Sequence, residues 1–438
     1  MPASHSRHPE HNGIPERARF YRDPWPRAGF LLRAGARETT EGGSGAFFGP
    51  PSAGGVVTHE AAGIDCATGS PVASSPDLAP AATRPRDRTL DLLRGYFLVV
   101  IVVDHLHAFP SLFEVFTGRG RMWASAAEGF FLVSGFFVGR LRGEDARERG
   151  FTAVWAKILP RAFTLYASGV VLTLIFTFAG RAFGHEPGFT HGISHDPALR
   201  VVREAVLLRY TYGLADMLPV WAVLLLLSPV SLFFLLRGWP VALLTVSVGT
   251  WVVGLLSPQP LCLTASYFSE ISWQLLFVVG IMLGYDWAGL QDGWHRLAPK
   301  TRLWLCRGLA LAAGVTLVLS WLDAYAGAFP ATLEPTLERA FHQVRLGPGR
   351  LAVSLTWIAF LWMWVKRHEE RVLRWAGPFL EPLGRNSLYV YIVHSLLCFL
   401  CSVREAVPLW KGTLLDASVL VVIWMMVRFR VLFGLIPR

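Results

Sequence analysis

The stretch Arg94–His105, which reads RGYFLVVIVVDH, combines a long apolar run with charged or polar residues at both ends. The eight residues from Tyr96 to Val103 are uniformly apolar, which predicts the centre of a membrane-spanning helix. Eleven helical residues at about 100° each leave an offset of about 20°, so Arg94 and His105 share one helix face, ~16 Å apart along the axis. Charged groups inside a bilayer are costly and face the bundle interior, so this face indicates a functional site.

The composition of the whole chain supports a membrane protein. The chain has 438 residues, of which 53% are hydrophobic and only 16% are charged, whereas soluble domains carry about 25% charged residues. The mean hydropathy of +0.41 agrees. The net charge of +10 does not predict a nucleic-acid partner, because basic residues of membrane proteins collect in cytoplasmic loops. The lipid bilayer is the expected surrounding.

Ten apolar segments are long enough to span a bilayer, each needing ~20 residues, and they predict an all-α polytopic membrane domain over residues 85–438. They run roughly over residues 90–109, 122–140, 152–180, 213–236, 239–257, 270–287, 307–326, 350–365, 384–402 and 413–433. Residues 198–210 are amphipathic and predict a helix lying on the membrane surface.

Residues 1–84 differ from the rest because they are rich in Pro, Gly, Ser, Ala, Arg and His. Such a composition cannot bury a core, so a disordered cytoplasmic tail is expected. The region near Met1 has no uninterrupted apolar stretch, so we do not expect it to be a secretory signal peptide. Either a dispensable tail or an over-long start of translation fits.

The distribution of Lys and Arg among the loops predicts the orientation of the helices. Basic residues are concentrated in residues 140–149, 294–307 and 366–374, whereas residues 258–270 contain none. Basic loops stay in the cytoplasm. Both termini are therefore expected there, with Arg94 toward the inner leaflet and His105 toward the outer one.

Polar residues recur inside the second segment, which contains AAEGFFLVSGFFVGR. Gly135 and Gly139 are four apart and predict a face of close helix packing. Glu128, a buried carboxylate, is a natural partner for Arg94 or for a protonated His105. Its depth near the outer end favours His105.

The ninth segment contains LGRNSLYVYIVHSLL, in which Ser387 and His394 are seven apart and share a face. His394 is either a second catalytic group or a hydrogen-bonding strut. Asp104 points about 100° away from its neighbour His105. It can orient the His105 ring only from a bent backbone, or it belongs to a different contact.

Two further sets of polar residues lie at predicted outer positions. Trp273 and Gln274 begin the sixth segment and predict a polar, aromatic mouth suited to carbohydrate, although an ordinary aromatic belt has the same composition. His185, His191 and His195 lie among Pro and Gly and lack carboxylate or thiol partners in a defined helix. We therefore expect a solvated loop rather than a zinc site, and no metal.

Several motifs in order resemble the OpgC (MdoC) family of membrane acyltransferases. They are RTLDLLRGYFLVVIVVDHL, AAEGFFLVSGFFVG, DMLPVWAVLLLLSP, SWQLLFVVGIMLG and LGRNSLYVYIVH, which together cover most of residues 86–402. The wider acyltransferase-3 superfamily shares an Arg, ten residues and a His in its first helix, a spacing that Arg94 and His105 meet. The superfamily often has Asp where this chain has Glu128, which keeps the charge.

The resemblance implies a ten-helix enzyme of the bacterial inner membrane that transfers an acyl group to an extracytoplasmic saccharide. For OpgC the implied reaction is O-succinylation of osmoregulated periplasmic glucans. The acyl donor would be a cytoplasmic acyl-CoA such as succinyl-CoA, used as a substrate, and no bound cofactor is expected.

The resemblance and the helix faces together give each residue an expected role. His105 is the expected general base, and Glu128 is expected to stabilise the imidazolium that forms. The expected substrate-binding residues are Arg94, Asp104, Ser134, Trp273, Gln274 and His394. A saccharide or organic-anion transporter is the alternative, but carriers show repeated halves, and no convincing internal repeat is visible. A membrane scaffold without chemistry of its own is a third possibility.

Overall fold

The structure is a computed structural model that describes residues 87–106, 110–183, 195–257, 260–401 and 407–437. By contacts the chain divides into the units Met1–Arg86 and Asp87–Arg438. The predicted tail of residues 1–84 lies outside the described residues. So do His185 and His191 of the histidine-containing loop.

The described part of the second unit is helical and contains no strand. The helices of nine or more residues are α1 (Arg88–His105), α2 (Ala126–Arg149), α3 (Phe151–Phe183), α4 (Ala198–Val206), α5 (Met217–Leu236), α6 (Pro240–Leu256), α7 (Glu270–Tyr285), α8 (Trp287–Arg296), α9 (Pro299–Trp321), α10 (Pro348–Arg367), α11 (Gly377–Arg385), α12 (Ser387–Leu400) and α13 (Leu409–Arg428). Shorter helical stretches are Glu114–Thr117, Gly118–Gly120, Leu322–Ala326, Glu334–Ala340 and Glu369–Trp375. The amphipathic stretch predicted at residues 198–210 begins as α4.

Each of the ten predicted apolar segments coincides with a helix, but ten spans are not confirmed. Five helices are long and apolar enough to cross a membrane: α3, α5, α9 with the turn that follows it, α10 and α13. A sixth span exists if α7 and α8, which are bent by 71°, are counted together. Helices α6 and α12 have only 17 and 14 residues, fewer than the ~20 that a full crossing needs. Helices α1 and α2 carry several charged residues each.

Helices α2 and α7 pack through glycines on both sides. A Cβ atom added at Gly139 would lie 2.0 Å from the carbonyl oxygen of Ile281, and Gly135 is equally close to the α7 backbone. In return, Cβ atoms at Gly280 and Gly284 would lie 2.2 and 2.1 Å from backbone oxygens of α2. The small-residue face predicted in α2 is confirmed. Its partner is a second glycine pair with the same spacing in α7.

Replacing Gly139 by Val is expected to destabilise the protein by about 1–3 kcal/mol or more, because the new side chain meets backbone that cannot rotate away. Thermal unfolding of the purified protein in detergent measures the change. Gly314→Val in α9 is the matched control, since a Cβ atom at Gly314 meets nothing within 4 Å. Equal melting temperatures for the two variants would contradict this packing.

Helix α11 is fixed against the beginning of α1. Arg88 donates two hydrogen bonds to the Glu381 carboxylate, at 3.1 and 2.9 Å, and Arg385 also donates to Glu381. The hydrogen bond from Arg88 is the main reason that the pKa of Glu381 lies below its usual value. The absent side chain of Gly95 lets the backbone of α11 approach α1 closely. These contacts place α12, which follows α11 directly, beside α1.

Candidate active site

The faces of α1 and α12 that carry polar residues meet at both ends. Arg94 donates a hydrogen bond to the hydroxyl oxygen of Ser387. The ring centroids of His105 and His394 lie 5.4 Å apart, with an interplanar angle of 71°. The two contacts follow the same order along both helices, so α1 and α12 run parallel. We call the two ends of this interface the Arg94 end and the His105 end.

Hydrogen bonds to the backbone determine which ring nitrogen carries the proton in each histidine. Nδ1 of His105 lies 2.7 Å from the carbonyl oxygen of Ile101, and Nδ1 of His394 lies 2.7 Å from that of Tyr391. A carbonyl oxygen only accepts, so each Nδ1 is protonated and donates. In each neutral ring Nε2 is then the nitrogen that can take up a proton. Nε2 of His394, whose residue is 1% exposed, has no hydrogen-bond partner in the described part of the chain.

A chain of aromatic side chains connects the two ends of the interface. The guanidinium of Arg94 lies 5.7 Å from the ring centre of Phe130, within the range of a cation–π contact. Phe130 stacks on Trp221 at 4.6 Å, Trp221 contacts Tyr391 at 5.6 Å, and Tyr391 contacts His394 at 5.0 Å. These rings surround the polar groups with material of low polarity, which strengthens electrostatic interactions between them.

Glu128 has a different partner from the one that the sequence predicted. Its Oε2 accepts hydrogen bonds from the backbone and hydroxyl of Ser125, at 2.9 and 2.7 Å, and its Oε1 accepts from Nε of Arg350 in α10. Glu128 is fully buried, and the side chain of Arg350 is 3% exposed. Both oxygens are therefore engaged by Ser125 and Arg350. The expected pairing of Glu128 with His105 is not what the structure shows, because Glu128 caps the start of α2 and turns toward α10.

Asp104 belongs to a buried charged cluster that sequence reasoning did not identify. It interacts with Thr117 and Arg119 rather than with the ring of His105, and Asp416 of α13 joins the same cluster. Arg119 and Asp416 are 4% and 1% exposed. Arg119 has a φ of +48° in the turn Gly118–Gly120. The sequence left open whether Asp104 orients the His105 ring or belongs to a different contact. The structure shows the different contact.

Two predicted binding residues hold α7 against neighbouring parts of the chain. The indole nitrogen of Trp273 donates to the carbonyl oxygens of Gln343 and Val344, at 3.1 and 3.2 Å. The amide of Gln274 both accepts from and donates to Ser247 of α6, each at 2.7 Å. Ser134 is half-buried on α2, beside the glycine face. The side-chain contacts of Trp273 and Gln274 are with parts of the chain other than the two histidines.

No group of three or more His, Cys, Asp or Glu side chains within the described ranges could hold a metal ion. His195 of the predicted loop is described, whereas its two companions are not.

The apolar helices and the buried polar interface between α1 and α12 define an integral membrane protein with a candidate active site inside its helix bundle. A family model described as OpgC protein matches residues 86–433, most of the chain. The chain belongs to the OpgC family. Comparison with curated proteins and with solved structures gives no match. Membership of this family implies a membrane transferase and favours an acyltransferase that acts on glucans.

Proposed function

We propose that this protein is an O-acyltransferase of the bacterial inner membrane. It transfers a succinyl group from a cytoplasmic acyl-CoA, succinyl-CoA, to a hydroxyl group of an extracytoplasmic saccharide such as an osmoregulated periplasmic glucan. The observation that carries the proposal is the α1–α12 interface, with a histidine pair at one end and an arginine at the other. The family membership supports the choice of acyl transfer and of a glucan acceptor.

The proposal includes ten spans with both termini in the cytoplasm. In addition to the six candidate spans, helices α1, α2, α6 and α12 would cross the membrane. The charged helices α1 and α2 would cross inside the bundle, and the short helices α6 and α12 would cross where the bilayer is locally thinner. In this arrangement α1 and α12 are the first and ninth spans and run in the same direction. Their parallel contact supports that count. The Arg94 end then faces the cytoplasm, as the basic loops predict.

In the proposed reaction His105 is the general base. Its Nε2 takes the proton of the acceptor hydroxyl while the sugar oxygen attacks the thioester carbonyl. The carbon–sulfur bond breaks, and the proton passes from Nε2 to the departing thiolate of coenzyme A. In a two-step route, the same nitrogen would be the nucleophile that forms an acyl-histidine intermediate. Direct transfer and the two-step route therefore both depend on Nε2 of His105.

Arg94 is the proposed donor-binding residue. Charge-assisted hydrogen bonds from a guanidinium suit the distal carboxylate of a succinyl group or a phosphate. The oxygen of Ser387 holds the guanidinium beside α12. Because Arg94 and His105 are ~16 Å apart along α1, a donor with a phosphate at Arg94 can extend its thioester arm to His105, whereas the succinyl carboxylate could lie at Arg94 only before the thioester moves to His105. Asp104, Ser134, Trp273, Gln274 and His394 stay predictions as substrate contacts.

Mass spectrometry of periplasmic glucans tests the proposed reaction. Glucans from a strain that lacks this protein are expected to lose the mass of a succinyl group, and complementation with the intact gene should restore it. Glucans that keep their succinyl groups in the deletion strain would contradict the proposal. A transporter would change the amount of glucan in the periplasm and leave the acylation of each molecule unaltered.

A further inference from the structure

A pocket lined by arginines lies at the Arg94 end of the interface. It has a cavity volume of about 310 Å³ and lies where α11 meets α12 and where α13 ends. Its lining includes Arg385, Asn386, Arg428, Arg430 and Phe433. The volume is at the lower end of the range for ligand pockets, about 300–1,000 Å³. It is large enough for part of a ligand.

The chain that follows α13 folds back against α12 to form one wall of this pocket. The hydroxyl of Tyr389 donates to the carbonyl oxygen of Val431 at 2.6 Å, and the rings of Tyr389 and Phe433 lie 4.7 Å apart. Arg430 and Leu432 have φ values of +54° and +57°. Non-glycine residues in this left-handed region are strained and persist where the surrounding structure holds them, often at binding sites.

The charges around the pocket are not balanced within it. Arg385 donates to Glu381 and lies 3.6 Å from Asp91. Among the described residues, by contrast, no carboxylate forms an ion pair with Arg428 or Arg430. Both arginines are exposed, so their guanidinium groups are accessible to an anion. Phosphate esters match the hydrogen-bonding geometry of a guanidinium group.

We propose that this pocket binds the phosphate groups of the nucleotide part of the acyl donor. The inference rests on the proposed function, in which the donor comes from the cytoplasm. Asn386 of the pocket directly precedes Ser387, the residue that binds Arg94. A donor with its phosphates at Arg428 and Arg430 therefore has its thioester arm directed along α1 and α12 toward His105.

Basic residues are common at the cytoplasmic ends of membrane helices, and anionic lipid headgroups offer the same phosphate-ester chemistry. A general preference for positive charge does not account for a concave site whose arginine adopts a left-handed backbone. The position of the pocket at the end of the α1–α12 interface favours the donor over a lipid.

The test measures binding of coenzyme A to the full-length protein in phosphatidylcholine nanodiscs by calorimetry. The variant is Arg428→Gln with Arg430→Asn, because Asn tolerates the left-handed backbone at position 430. We expect its affinity for coenzyme A to fall roughly tenfold or more, since each lost bond involves charged groups. The matched control, Arg371→Gln with Arg374→Gln, makes the same charge change in the short helix Glu369–Trp375 and should bind as the wild type does.

The possible outcomes separate the pocket from the reaction. Equal binding by the double variant and the wild type overturns the pocket assignment and leaves the acyl transfer intact. If the wild type does not bind coenzyme A at all, both the pocket assignment and the CoA donor are wrong. If the two proteins bind coenzyme A equally, and phosphatidylglycerol discs raise the melting temperature of the wild type alone, the occupant is a lipid headgroup and the inference is overturned.

Discussion

Replacing His105 by Asn is expected to lower the rate of acyl transfer ~10²–10⁴-fold, the usual contribution of a general base. The amide of Asn can still donate to the carbonyl oxygen of Ile101, as Nδ1 does in the native ring. What the variant loses is Nε2, the nitrogen that takes the proton of the acceptor. The substitution therefore removes the base and keeps the local backbone contact.

The rate is measured on purified protein in nanodiscs, with glucan and acyl-CoA, by mass spectrometry of the product. His368→Asn is a closely matched control, because Nδ1 of His368 lies 2.9 Å from the carbonyl oxygen of Trp364, the same backbone contact one helical turn back. This variant should retain full activity. Full activity in His105→Asn would show that the reaction proceeds without this base.

The same assay separates the two roles that the sequence left open for His394. Its ring contacts that of His105, and the residue is almost fully buried. A strut would be revealed by a fall in melting temperature in His394→Asn with the rate per folded molecule unchanged. A catalytic partner would be revealed by a fall in rate with the melting temperature unchanged.

Replacing Arg350 by Met is expected to destabilise the protein by about 3–5 kcal/mol, because it leaves the carboxylate of Glu128 buried without its charge partner. Neither residue has enough exposed surface for water to replace the lost contact. Unfolding in detergent, followed by tryptophan fluorescence, measures the loss. The effect should be the largest of any single arginine substitution in α10.

Two further variants identify the cause of that loss. Arg367→Met changes an exposed arginine at the opposite end of the same helix and should leave stability nearly unchanged. Glu128→Gln combined with Arg350→Met removes the unpaired charge and should recover part of the loss. If Arg350→Met unfolds like the wild type but loses activity, Glu128 and Arg350 act in the reaction instead of holding α2 against α10.

The parts of the site that follow from helical periodicity could be predicted from the sequence. The spacing of Arg94 and His105 predicted one face of α1, and the spacing of Ser387 and His394 predicted one face of α12. The structure brings these two faces together. Each prediction needed only the geometry of a single helix. Because exposing a polar helix face to lipid is costly, such a face packs against another polar face within the bundle.

The pairings between distant residues could not be predicted in this way. The sequence indicated that Glu128 needs a cation, but its partner Arg350 is 222 positions away, and packing selects it. The contact of Asp104 with Arg119 depends on a turn with left-handed backbone, which has no periodic pattern. The lone Asp416 within an apolar segment was a detectable signal, since such residues are rarely placed there without a purpose. The ten predicted membrane spans are not confirmed for the short helices α6 and α12 or for the charged helices α1 and α2.

The hydrogen bonds from the two histidine rings to the backbone limit how these rings transfer protons. Each Nδ1 is committed to a carbonyl oxygen of its own helix, so a proton that arrives at Nε2 cannot leave through the other nitrogen of the same ring. It has to depart from the atom at which it arrived. Each histidine can therefore take up and release a proton only at Nε2, so the proton that His105 takes from the acceptor hydroxyl in the proposed reaction leaves from the same atom to the thiolate of coenzyme A.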